Sequence, residues 1–146
     1  MIKFTVFGVP AQMGSKKAFV RGTRAILTDD NSVKRKQWAN AVATEAATRM
    51  RGQKLMDGPV TVCVEFFFPR PKSHYGSGKN SQVLKASAPS LHSQSPDLDK
   101  LIRCLGDAMT GIVYQDDRQI YAVEARRSWT VSQARAEVEV FLDEEK

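Results

Sequence analysis

The chain has 146 residues, 42% of them hydrophobic and 26% charged, and a net charge of +6. That length suits one domain with a real core, and the composition is that of a globular protein, not of a disordered or fibrous one. No run approaches the roughly 18 apolar residues of a membrane span. The opening MIKFTVFGVP lacks the basic region, apolar core and cleavage site of a signal peptide, so no membrane association is expected.

Ile2 to Val9 reads as a first strand with Ile2, Phe4 and Val6 on one face. Pro10 to Lys17 is a loop, with Gly14 and Ser15 as breakers. Ala18 to Thr28 reads as a hairpin turning near Arg21-Gly22-Thr23. Its basic residues suit a DNA backbone and equally suit a solvated turn. Ser32 to Arg51 is an amphipathic helix whose apolar stripe is Trp38, Ala41, Val42, Ala46 and Met50; Lys34-Arg35-Lys36 at its start is a solvated face. After the turn Asp57-Gly58-Pro59, Val60 to Phe68 is the strongest strand. It carries Val60, Val62, Val64, Phe66 and Phe68 on one face and Thr61, Cys63, Glu65 and Phe67 on the other, which suits a central position. Cys63 and Cys104 form no C-x-x-C pair and read as reduced core residues, which points to a cytosolic setting.

Pro69 to Gln94 is rich in Ser, Lys, Pro and Gly and reads as a mobile insertion at about 70–95 that orders on binding. Arg70, Lys72, Lys79, Lys85 and Tyr75 suit a flap over DNA. His74 and His92 match no metal-ligand spacing.

The stretch from Ser95 to Ile120, SPDLDKLIRCLGDAMTGIVYQDDRQI, holds the chemistry. Leu98, Leu101, Ile102, Leu105, Ala108 and Met109 follow a helical period, so that face must be buried. Ser95 and Pro96 suit an N-cap and a first helical position. Asp97 and Asp99 converge only if Asp97 is still extended, because residues two apart on a helix point about 200° apart. The helix is then expected to begin at Leu98 or Asp99. Thr110-Gly111 is a stop signal with Gly in the left-handed cap. The bend from Gln115 to Arg118 can carry Asp116 or Asp117 back toward the first pair. Crowded carboxylates repel one another unless a cation neutralises them, and Mg²⁺ suits oxygen ligands of this kind. The same aspartates also fit a plainer reading as capping and turn residues. Gln119 to Trp129 and Ala134 to Asp143 then form a final expected hairpin around Thr130 to Gln133.

Charge divides along the chain. Residues 1–40 carry +6, residues 41–96 carry +4 and residues 97–146 carry −4. Basic flanks that hold phosphates around an acidic pocket that holds metal would look like this. The expected fold class is α+β, a single domain over 1–146 with a mixed β-sheet and two main helices packed on one face.

The motif D-L-D-x-L, a basic residue, D-A, G and then D-D before a strand resembles the RusA family of Holliday junction resolvases, common in phages and prophages. The resemblance implies a Mg²⁺-dependent endodeoxyribonuclease (Mn²⁺ being an alternative ion) that cuts four-way junctions as a homodimer in the bacterial cytoplasm. It implies metal binding by Asp97, Asp99 and Asp117, with Asp116 assisting; Asp107 also matches a family position. Lys16 and Lys17 in the loop after the first strand, with Arg21, Arg24, Lys72 and Lys100, would contact DNA. Two departures stand out. Lys100 replaces the usual Asn, and Arg103 replaces the catalytic Lys. Arginine stabilises phosphate charge but donates a proton poorly, so Arg103 would offset charge in the transition state. Two other function classes fit the residues: a non-catalytic DNA-binding module using the same basic surface, and a phosphohydrolase acting on small substrates.

Overall fold

The computed structural model describes residues 1–14, 16–21, 24–29 and 32–144, and within 16–29 only the course of the backbone. The chain runs β1 (Ile2–Phe7), β2 (Lys16–Arg21), β3 (Arg24–Asp29), α1 (Ser32–Met50), β4 (Val60–Pro69), α2 (Leu98–Met109), β5 (Ile120–Thr130) and β6 (Arg135–Leu142). β2 and β3 pair antiparallel as a separate hairpin, as their sequence suggests. The other strands form one mixed sheet in the order β1-β6-β4-β5.

Alternation builds that sheet. Phe4 faces Val138 and Val138 faces Val64; Val6 faces Ala136 and Ala136 faces Phe66. Each row is buried, so apolar side chains run unbroken across three strands. Helix α1 covers them with Trp38, Val42, Ala46 and Met50, one side chain per turn, and α2 adds Leu101, Cys104, Leu105 and Met109. Both helices sit on one face of the sheet, giving the α+β domain expected. Burial raises the Cys104 thiol to about 11, so it is an inert core group.

Three local expectations fail. The final hairpin does not form: β5 and β6 both pair with β4, which lies between them, β5 parallel and β6 antiparallel. β4 buries one whole face and half-buries the other, as befits a strand paired on both sides. Pro69 cannot extend its ladder, and it ends the strand where residues 131–134 pass over. Two strand spacings are about 10 Å, within reach of four residues. Cys63 is not a core residue. It lies half-buried on the open face of the sheet, its thiol 3.8 Å from Glu124 and raised by partial burial and then by Glu124 and Glu139. Ser95 and Pro96 are not helical; the N-cap is Asp97.

The segment from Arg70 to Gln94 holds two short 3-10 turns, Lys72–His74 and Gly78–Asn80, and a bridge from Tyr75 to Leu84. Its buried histidines close on Trp129: His92 stacks on the indole at 4.0 Å and His74 meets it edge-on at 5.0 Å. Burial, Arg127 and His74 all lower the pKa of His92, so it is neutral at pH 7. Among the described residues no helix is long and apolar enough to cross a membrane.

Candidate active site

Helix α2 has two faces. The inner one is core. The outer one carries Asp99, Arg103 and Asp107, all exposed, at four-residue spacing, which places them in one stripe along the helix. Asp97 stands just ahead of the stripe, extended at φ −69°, ψ 134°, and its carboxylate makes no capping hydrogen bond. The helix therefore starts at Leu98, one of the two starts expected from the sequence. Asp97 lies 3.6 Å from Lys100, and Asp99 lies 3.9 Å from Arg103. With the carboxylates 58% and 78% exposed, such pairs contribute about 0–1 kcal/mol, so either carboxylate turns readily to another partner.

The backbone at this end is held from three sides. The amide side-chain oxygen of Gln12 accepts from the Asp97 N–H at 2.7 Å. The N–H of Met13 donates to the Lys100 carbonyl at 3.1 Å. The Arg127 guanidinium donates to the carbonyl of Gln94 and, at 2.8 Å, to that of Pro96. Gln12 and Arg127 hold this end of α2 in place, and sequence reasoning missed both. Both act on backbone atoms far away in the chain, and no motif or period signals that. The whole mouth lies beyond the carboxyl ends of the parallel pair β4 and β5, where α/β folds place their ligands.

At the other end of α2, Thr110 leaves the helix and Gly111 takes the left-handed conformation at φ 80°. Tyr114 is fully buried, and its hydroxyl donates to the Gly106 carbonyl at 2.7 Å. Burial, then Asp117 and Asp107, raise its pKa, so it does not ionise. Asp116 caps a 3-10 turn, Asp117–Gln119, by accepting from the Arg118 N–H at 2.9 Å; that bond holds its carboxyl below the usual range. Gln119 fastens the turn to the Met56 and Gly58 carbonyls.

Asp107 and Asp117 meet across this gap. Partial burial raises Asp107, a hydrogen bond to Asp117 and its charge raise it further, and Arg103 pulls it back. Asp107 thus holds a proton more readily than an ordinary carboxyl. It sits eight residues past Asp99, roughly 12 Å along the helix axis. The donors are hard, mostly exposed oxygens, of the kind a divalent cation takes. They stand at the two ends of one helix, and among the described residues no three acidic groups are close enough to hold an ion.

The remaining candidates are dispersed. Lys100 is half-buried at the mouth, and Lys72 is exposed at the first 3-10 turn of the segment after β4. Lys16, Lys17, Arg21 and Arg24 lie on β2 and β3, with Arg21 opposite Arg24, and their side chains lie outside the described residues.

Residues 9–141 match the family described as Endodeoxyribonuclease RusA, a match that begins after β1 and takes in both ends of α2. The chain belongs to that family and is an endodeoxyribonuclease, a hydrolase acting on DNA. It is also similar to the uncharacterised protein YqaN of Bacillus subtilis (strain 168), at 30% identity over 138 residues, covering 94% of this chain and 93% of that one.

Proposed function

We propose that the protein resolves four-way junctions and related branched DNA, as a homodimer making paired cuts in the bacterial cytoplasm with Mg²⁺, or Mn²⁺ in its place. The observation that carries this reading is the outer face of α2. Asp97, free of capping work, leads an exposed stripe of carboxylate, guanidinium and carboxylate that ends at Asp117, all within a family of junction-resolving nucleases.

Asp97, Asp99 and Asp117, with Asp116 assisting, are the candidates to hold the ion; Asp97 and Asp99 stand at one end of α2 and Asp116 and Asp117 at the other, so a closed site would have to draw them together. When bound, it would supply polarisation of the scissile phosphate and a more acidic water. The chain's own groups do the rest. Arg103 lies between Asp99 and Asp107 on the stripe, and its side chain is 62% exposed, so it can turn to a phosphate oxygen and offset charge that grows during cleavage. Lys100 at the mouth, with Lys16, Lys17, Arg21, Arg24 and Lys72, would hold flanking phosphates. Paired cuts on opposed strands need two copies related by a two-fold axis.

The test is incubation with a four-way junction and with a linear duplex, each with and without Mg²⁺. Cleavage of the junction alone, and only with metal, is expected. Asp97→Asn, Asp99→Asn and Asp117→Asn should each abolish cutting while junction binding stays or tightens, since negative charge facing phosphates is removed. Sedimentation should give about twice 16.3 kDa. Full activity of any Asn variant would remove that residue from the site, and a strict monomer on the junction would exclude paired cutting.

A further inference from the structure

Next to Asp97 lies a concavity of about 680 Å³ that the stripe on α2 does not use. Phe7 gives it an exposed aromatic ring, above the buried rings of Trp38 and Phe68. Phe7 and Val9 at its edge are 61% and 63% exposed, although the same strand buries Ile2, Phe4 and Val6. Gly8 keeps one side thin. Its φ of +130° suits glycine alone, and a Cβ there would sit 3.9 Å from the Trp38 ring. Gln12 and Gln37 add amide groups, and Lys34 adds a cation. The indole N–H of Trp38 has no hydrogen-bond partner among the described residues. Ser95 and Pro96 close the cavity on the side of the mouth, so it adjoins Asp97, whose N–H is bonded to Gln12.

Its shape and chemistry suit a flat, apolar-faced group with polar edges, attached to an anion. We propose that this cavity is a subsite for one unstacked nucleobase, that of the nucleotide beside the scissile phosphate, so that a branch point, but not an unbroken duplex, seats its backbone at Asp97. This rests on the nuclease reading given above and names what that site selects. Aromatic walls stack on any base, and amide groups read its edge. Lys34 offsets the attached phosphate. In an unbroken duplex the base must first leave its stack and its partner, whereas at a branch point that cost is small.

The experiment compares cleavage of an intact four-way junction with that of junctions lacking the base on either side of each cut, using the wild type and Phe7→Ala. Phe7 is exposed, so its truncation leaves the core intact; Gln37→Trp, on the exposed face of α1, is a second variant that fills the cavity. Removing the base on one side of the cut should lower the wild-type kcat/KM by about tenfold to a hundredfold. Phe7→Ala and Gln37→Trp should each lose a similar factor on the intact junction and lose little more when the base is also gone. Equal cleavage of all junctions by the wild type, or losses that multiply independently, would overturn the subsite and leave the nuclease reading standing. A wild type that cuts no junction overturns both. A Phe7→Ala protein that sediments at half the wild-type mass would give this surface to a second copy of the chain and overturn the proposal as well.

Discussion

Gln119 offers the sharpest test of how the second acidic pair is held. Its Nε2 donates to the carbonyls of Met56 at 2.8 Å and Gly58 at 2.9 Å. Its Oε1 accepts from the N–H groups of Gln115 at 3.0 Å and Asp116 at 3.1 Å. The amide thus uses its full capacity, two donor hydrogens and two acceptor lone pairs. At a net 0.5–1.5 kcal/mol per bond, four bonds sum to about 2–6 kcal/mol. The residue is half-buried, so water replaces part of this in its absence, and Gln119→Ala should cost about 2–3 kcal/mol. Urea unfolding measures that loss. Under conditions where both proteins are folded, junction cleavage should fall by about tenfold to a hundredfold, because a loosened turn misplaces Asp117. Gln119→Glu keeps the two acceptors but points an anion at two carbonyls. Its ionised form is disfavoured in the folded protein, which raises its pKa there. This variant should therefore be most stable at acid pH and lose stability as pH rises through and above the ordinary Glu range. Unchanged urea midpoint and cleavage rate in Gln119→Ala would refute the reasoning and show that the turn holds itself.

Arg127→Ala should weaken cleavage with little change in junction binding, since it frees the Gln94 and Pro96 carbonyls that set Asp97; Arg127→Lys, which reaches only one of them well, should fall between, read as kcat against KM. In metal-free protein the raised Asp107 carboxyl gives stability that is full below its ordinary pKa and fades as pH rises through its native value, so Asp107→Asn should remove that slope in a pH series of urea midpoints and stabilise the protein at neutral pH. Arg103→Lys should retain much of the activity, and Arg103→Ala should lose it by orders of magnitude with an unchanged circular dichroism spectrum. Equal rates for the alanine variant and the wild type would make Arg103 a surface charge and nothing more.

What could be read from the sequence was what repeats locally. The alternation in Val60 to Phe68, the one-per-turn stripe of α1, the start of α2 at Leu98 and the stop at Gly111 all follow from spacing, and all stand in the structure. The pairing of the last two strands did not follow, because period-2 alternation says which face a side chain takes and nothing about which strand lies beside it. The histidines could not be paired from sequence either: residues 74 and 92 converge only because Trp129, on another element, lies between them. At the site, the aspartates were legible as a motif. The groups that position them, Gln12, Arg127 and Gln119, were not, since each reaches main-chain atoms more than 30 residues away and so leaves no pattern. The meeting of Asp117 with Asp107 depends on how the chain returns past the end of α2, which spacing alone leaves open.

The placement of β4 between two strands that are consecutive in the chain has a consequence for how the molecule forms. Residues 131–134 make an antiparallel ribbon of β5 on β6 the nearest pairing open to that part of the chain, and such ribbons close in about 1–10 µs. The native partner of both strands lies some 50 residues upstream of β5, so its arrival costs much more loop closure. A chain that forms this ribbon first has to open it before β4 can enter. Folding is then a contest between a quick local pairing and a slow distant one, and mild denaturant, which weakens the ribbon first, should speed refolding before it slows it. A stopped-flow chevron with a straight folding limb down to the lowest urea would show that the ribbon never gathers.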